Sequence, residues 1–161
     1  MKSIEKIENI VCELLRERKM KLATAESCTG GLIAEKITSV PGASECFDCG
    51  VVTYSNEQKQ KLLGVSVDTL EKFGAVSEQT ALQMCEGVRK LADADFGISV
   101  TGIAGPGGGT PDKPVGTVWI GLCGKDVHKA EKFLFTGDRN QVRESTAVAA
   151  LEMVRDAILN N

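Results

Sequence analysis

Phe96-Gly-Ile-Ser-Val-Thr101 reads as a short, near-continuous apolar strand, and it narrows the folds open to this chain more than any other segment. Strands of this kind are buried on both faces. Both faces then need covering, and the rest of the chain offers amphipathic helices for the purpose. Ile4, Ile7, Val11, Leu14 and Leu15 form one face of an opening helix that ends near Lys19. Ala81, Leu82, Cys85, Val88 and Leu91 form another from about Glu78, and Val142, Thr146, Ala149, Ala150, Met153 and Ile158 a third behind Asp138-Arg-Asn-Gln141. Further strands are expected from Leu22 to Glu26 and from Phe47 to Tyr54, with a hairpin of Val115–Cys123 and His128–Phe135. Short helices are expected after Ser55-Asn56, running to Leu63, and at Asp68-Thr-Leu-Glu71, which has capping-box spacing. Helices and strands that alternate and then give way to a hairpin imply a three-layer α/β/α domain around a mixed β-sheet. With no repeat or linker in view, residues 1–161 read as one domain.

Composition removes several functions. The net charge of −3 is spread along the chain with no basic stripe, so nucleic acid is not expected as a partner. No segment approaches the ~18 apolar residues of a membrane span. The charged opening Met1-Lys-Ser-Ile-Glu-Lys6 lacks a signal-peptide pattern, and the expected setting is the cytoplasm. There the six cysteines should be reduced thiols. Cys46-Phe-Asp-Cys49 is a C-x-x-C, but a zinc site needs about four ligands and His128 is the only histidine. No metal or other cofactor is expected.

The densest chemical signal is Leu22-Ala-Thr-Ala-Glu-Ser-Cys-Thr-Gly-Gly31, a strand that stops at a serine and opens into a helix through two glycines. Glycine in a first helical turn costs about 1 kcal/mol relative to alanine, so the pair implies close approach of a ligand or another backbone. Ser27 at such a junction is a candidate nucleophile, with helix N–H groups at hand for a developing oxyanion. The plainer alternative is that Ser27 or Thr29 is an N-cap. Lys59 is placed three and four residues before Leu62 and Leu63, on their inward face. A lysine directed inward loses hydration and becomes a candidate general base; alternatively its stem covers apolar surface while the ammonium reaches water. Tyr54 could reach the same pocket. Gly102 to Pro114 follows the buried strand at its carboxyl end, where open α/β sheets bind ligands. It fails the Walker pattern, because Lys113 precedes a proline, and it fails the dinucleotide fingerprint at Thr110. An anion or polar-ligand loop and a flexible surface loop both remain open for it.

Ala25-Glu-Ser-Cys-Thr-Gly-Gly31, Val52-Thr-Tyr-Ser-Asn56, Gly74-Ala-Val-Ser77, Thr101-Gly-Ile-Ala-Gly-Pro106, Lys113-Pro-Val-Gly-Thr-Val118 and Phe135-Thr-Gly-Asp-Arg139 together resemble the CinA C-terminal domain family, in order and spacing, over essentially the whole chain. The resemblance implies a nicotinamide-nucleotide amidase, which hydrolyses nicotinamide mononucleotide to nicotinate mononucleotide and ammonia in pyridine-nucleotide salvage. It also implies an α/β/α fold and a homodimer or higher homo-oligomer. Some family members carry a preceding pyrophosphatase domain, which is not expected in this chain. By position in the family's motifs, Ser27 is the nucleophile, Lys59 its base and Tyr54 an assistant. Thr101 and Arg139 match site residues, and backbone N–H groups near Thr29, Gly30 and Gly31 or near Thr101 and Gly102 are expected to hold the oxyanion. Arg139 is the expected phosphate partner, with Arg143 a second candidate. Cys28 is a rival nucleophile, but no base lies near it in sequence. A non-catalytic nucleotide- or partner-binding module linked to competence or recombination, or an amidase for a related small amide, are the alternative readings.

Overall fold

The computed structural model describes residues 4–160; readings that fall on residues 1–3 and 161 lie outside the described residues. The chain runs α1 (Ile7–Glu17), β1 (Leu22–Glu26), α2 (Leu32–Thr38), a 3-10 turn (Ala43–Glu45), β2 (Phe47–Val52) and α3 (Asn56–Leu63). It continues α4 (Val67–Phe73), α5 (Glu78–Ala92), β3 (Phe96–Gly102), β4 (Thr117–Gly124), β5 (His128–Leu134) and α6 (Arg139–Leu159). The strands form one sheet in the order β2-β1-β3-β4-β5. β1 is parallel to β2 and β3, whereas β4 is antiparallel to both β3 and β5. This is the mixed sheet expected, with the apolar β3 at its centre and buried from Phe96 to Thr101.

Alternation along the strands divides the core in two. Leu22, Phe96, Ile98, Val100, Ile120 and Leu122 pack with α1, α2 and α6 on one face. Ala23 and Ala25 pack on the other with Leu63, Val65, Leu70, Met84 and Val88 from α3 to α5. β3 and β4 keep small residues under α5, which therefore lies close to the sheet. Ser99 Oγ donates to the Ala81 carbonyl at 2.6 Å, and a Cβ on Gly121 would stand 2.5 Å from that same oxygen. Among the described residues, no helix is long and apolar enough to cross a membrane.

Four local expectations change. Ile4 is 95% exposed, because α1 starts only at Ile7, after an extended Lys6. The α5 stripe is Thr80, Ala81, Met84, Cys85 and Val88; Leu82 is half-buried at its flank and Leu91 is exposed in the last turn. The cap of α4 is Ser66, whose Oγ accepts from Thr69 N–H at 3.1 Å. Asp68 instead lies inside the first turn. β2 stops at Val52 rather than running on to Tyr54, with Cys49 of the C-x-x-C inside it.

Candidate active site

β1, β2 and β3 run in one direction, so the segments that leave their carboxyl ends gather at one end of the sheet: Ser27 after β1, Thr53-Tyr54 after β2 and Gly102 at the end of β3. Between them lies a cavity of about 280 Å³, near the lower end of the size of small-molecule sites. Ser27, Tyr54, Lys59, Thr101 and Arg139 line it, with the Gly102–Gly108 loop as one wall.

The centre of the site is a serine and a lysine 32 positions apart. Ser55 caps α3 by accepting from Gln58 N–H at 3.2 Å, which aims the first turn of that helix at the strand ends. Lys59 then points inward with only 1% of its surface exposed. Its Nζ stands 2.9 Å from Ser27 Oγ and donates to the Thr53 carbonyl at 2.7 Å. Burial in this setting penalises the ammonium and lowers the pKa from 10.5 to about 8. The amine therefore does not snorkel. Of the two leucines expected to share its face, Leu63 is buried and Leu62 is 44% exposed; the inward row is Lys59–Leu63, one full turn apart.

Ser27 does not sit on a helix N-terminus. A turn separates it from α2, which begins at Leu32, and the two glycines belong to that turn rather than to the helix. Gly30 and Gly31 have φ of 61° and 108°, left-handed values that a side chain would strain. Neither Ser27 nor Thr29 caps α2. That task falls to Glu26, whose carboxylate accepts from Ile33 N–H at 2.8 Å and Ala34 N–H at 3.1 Å. Glu26 also accepts from Thr29 Oγ1 at 2.6 Å. Thr29, Gly30 and Gly31 consequently do not line the cavity. Glu26, only 1% exposed, is the residue that sequence reasoning passed over; its signal was a carboxylate ending an otherwise uncharged strand one step before the serine.

The remaining candidates play distinct parts. Tyr54 is 62% exposed, and its hydroxyl accepts from Arg139 Nη2 at 3.0 Å; it makes no hydrogen bond to Ser27 or Lys59. Arg139 opens α6 behind the Asp138–Gln141 capping box and donates from Nη1 to the Gly105 carbonyl at 2.7 Å. It thereby ties the helix to the glycine-rich loop. Thr101 is buried, and its Oγ1 donates to the Ala75 carbonyl at 2.8 Å, which secures the cavity wall. Arg143 faces the main chain after Ser27 rather than the cavity. Burial pushes the Cys28 thiol up to about 12, so it stays protonated and unreactive at neutral pH. His128 pairs with Glu86 at the opposite end of the sheet. Among the described residues, no cluster of three or more His, Cys, Asp or Glu could hold a metal ion.

Residues 4–158 match the family model described as the CinA C-terminal domain. A CinA-like protein from Kosmotoga olearia is 52% identical over 155 residues, which make up 96% of this chain and 38% of the relative. The chain thus spans well under half the length of the curated relatives it matches. Among solved structures, a competence-damaged protein (CinA) superfamily member from Klebsiella pneumoniae superposes with a TM-score of 0.92 at 32% identity, covering 98% of this chain and 100% of the other. The competence/damage inducible protein CihA from Agrobacterium tumefaciens gives 0.87 at 40% identity, over 98% and 99% of the two chains.

Proposed function

The chain belongs to the CinA C-terminal domain family, and from that premise we propose that it is a nicotinamide-nucleotide amidase that converts nicotinamide mononucleotide to nicotinate mononucleotide and ammonia. The observation that carries the reading is the buried lysine 2.9 Å from a serine hydroxyl, its pKa lowered to about 8. A lysine so placed serves as a general base for a hydroxyl nucleophile.

In the proposed cycle, neutral Lys59 takes the Ser27 proton as Oγ attacks the carboxamide carbon. The Lys59 ammonium returns that proton to the departing nitrogen, the C–N bond breaks, and ammonia leaves an acyl-enzyme ester. Water attacks the ester with Lys59 again as base, and Ser27 is released as the acid departs. Arg139 has N–H donors left beyond those on Gly105 and Tyr54, and they suit the substrate phosphate. The family's homodimeric or higher assembly and a cytoplasmic setting belong to the same proposal.

The test is ammonia release from nicotinamide mononucleotide, set beside nicotinamide, its riboside and its dinucleotide, with Ser27→Ala as control. Release that is lost in Ser27→Ala supports the reading. Activity retained in Ser27→Ala and lost in Cys28→Ser overturns the nucleophile. Nucleotide binding without ammonia makes the domain a ligand-binding module, the reading to which the relatives' competence-related names lend weight. Turnover of another amide alone reassigns the substrate.

A further inference from the structure

The turn after Ser27 is gripped from two sides, by groups outside the Ser27–Lys59 pair. On one side is Glu26, which engages Thr29 Oγ1 and the first N–H groups of α2. On the other is Arg143, in the first turns of α6. Its Nε donates to the Cys28 carbonyl at 3.2 Å and its Nη2 to the Thr29 carbonyl at 2.8 Å.

These contacts fix more than the carbonyls they touch. In a trans peptide the C=O and N–H point in opposite directions. Holding the Cys28 carbonyl on Arg143 therefore turns the Thr29 N–H away from the guanidinium. Holding the Thr29 carbonyl orients the Gly30 N–H, which donates to the Ser27 carbonyl at 3.0 Å. That bond in turn directs the Cys28 N–H away from the inside of the turn. Among the described residues, neither the Cys28 nor the Thr29 N–H has a backbone acceptor. Cys28 lines the cavity beside Ser27, and the N–H of the residue after the nucleophile is where serine hydrolases of the nucleophile-elbow type bind an oxyanion. At the start of α2, the Leu32 N–H is taken by the Thr29 carbonyl and those of Ile33 and Ala34 by Glu26.

We propose that Arg143 is a positioning residue that holds the peptides after Ser27 in the orientation that leaves the Cys28 N–H free to bind the oxyanion formed when Ser27 attacks. The inference rests on the acyl-transfer reading of the site and deepens it. It also gives Arg143 a different part from phosphate binding, since its fork already faces two carbonyls. Arg143→Lys keeps the charge but loses the two-pronged geometry.

A fluorophosphonate probe tests this without the amide substrate. Lys59 takes the Ser27 proton as Oγ displaces fluoride from phosphorus, forming a P–O bond as P–F breaks, and the phosphoryl oxygen needs the same N–H donor. Labelling of Ser27 should fall about 100-fold in Arg143→Met, the scale of losing one oxyanion donor. It should fall less in Arg143→Lys, and millimolar guanidinium should partly restore it in Arg143→Ala. The pH of half-maximal labelling should not move, because Lys59 is untouched. With nicotinamide mononucleotide, the same variants should lower kcat and leave KM within about threefold. Wild-type labelling rates in folded Arg143→Met or Arg143→Lys, a raised KM with kcat kept, a shifted pH midpoint, or no labelling of the intact protein would each overturn the proposal. Arg143-dependent labelling without ammonia release would instead remove only the nicotinamide-nucleotide assignment and leave Arg143 its part.

Discussion

Lys59 occupies a position where a fold would ordinarily place leucine, and its burial works against the ammonium form. The sign of the resulting pH dependence follows from its lowered pKa of about 8. At pH 7 only roughly a tenth of the amines are neutral, so kcat/KM should rise with pH through about 8 and then level off. The unfolded chain keeps its proton to about pH 10.4. Below pH 8 both states are protonated and the burial penalty is present in full; between about 8 and 10.4 the folded state has released the proton first, and stability rises with pH. Lys59→Met should abolish ammonia release, with a loss of at least about 100-fold. It should also stabilise the fold at neutral pH, on the order of 2 kcal/mol, and flatten that alkaline rise. Urea unfolding at pH 7 and pH 10 checks both. A Lys59→Met protein less stable than the parent at pH 7 would mean that the ammonium is well accommodated where it lies.

Helix starts carry the site, so their caps have functional weight. Asp138 Oδ1 accepts from Gln141 N–H at 2.9 Å, and Gln141 Oε1 accepts from Asp138 N–H at 2.8 Å. Asp138→Ala should cost about 1 kcal/mol and lower Tm by roughly 2–4 °C. Activity should fall by more than that loss of stability explains, because Arg139 begins the same turn; calorimetry beside kinetics separates the two effects. Gly121→Ala should cost about 1–3 kcal/mol through overpacking against α5, visible in denaturation midpoints. Much of this was legible locally. The Asp138–Gln141 cap, the double-faced β3 and the inward Lys59 follow from spacing within single elements. What escaped depends on partners distant in sequence. Leu62 and Leu91 have apolar side chains at plausible spacing, but helix rotation and the extent of the neighbouring layer decide their burial. Gly30 and Gly31 looked helical because spacing cannot report the sign of φ. The Ser27–Lys59 contact requires β1 and β2 to pair in one register, and Arg143 reaches its carbonyls across 114 and 115 positions; neither is encoded in a local pattern.

Across the whole molecule, two apolar layers shield a sheet whose working end collects five separate stretches of chain. The cysteines follow the layers: five of the six are buried, and Cys49 on edge strand β2 is the half-buried one. A native thiol titration should therefore give one fast equivalent, assigned to Cys49 by peptide mapping, with the other five appearing on unfolding. Rapid reaction at Cys12 or Cys85, both at 0% exposure, would contradict the packing. β2 has a further role, because the hydrogen bond just past its end, Thr53 N–H to the Glu26 carbonyl at 2.9 Å, joins the Lys59 anchor to the residue before Ser27. Edge strands open at lower free energy than the centre of a sheet. Fraying at that margin would separate Lys59 from Ser27 while β3, the helices and nearly all of the circular dichroism signal remain intact. Gentle heating should therefore abolish the proposed ammonia release several degrees before the chain melts, and cooling should bring it back.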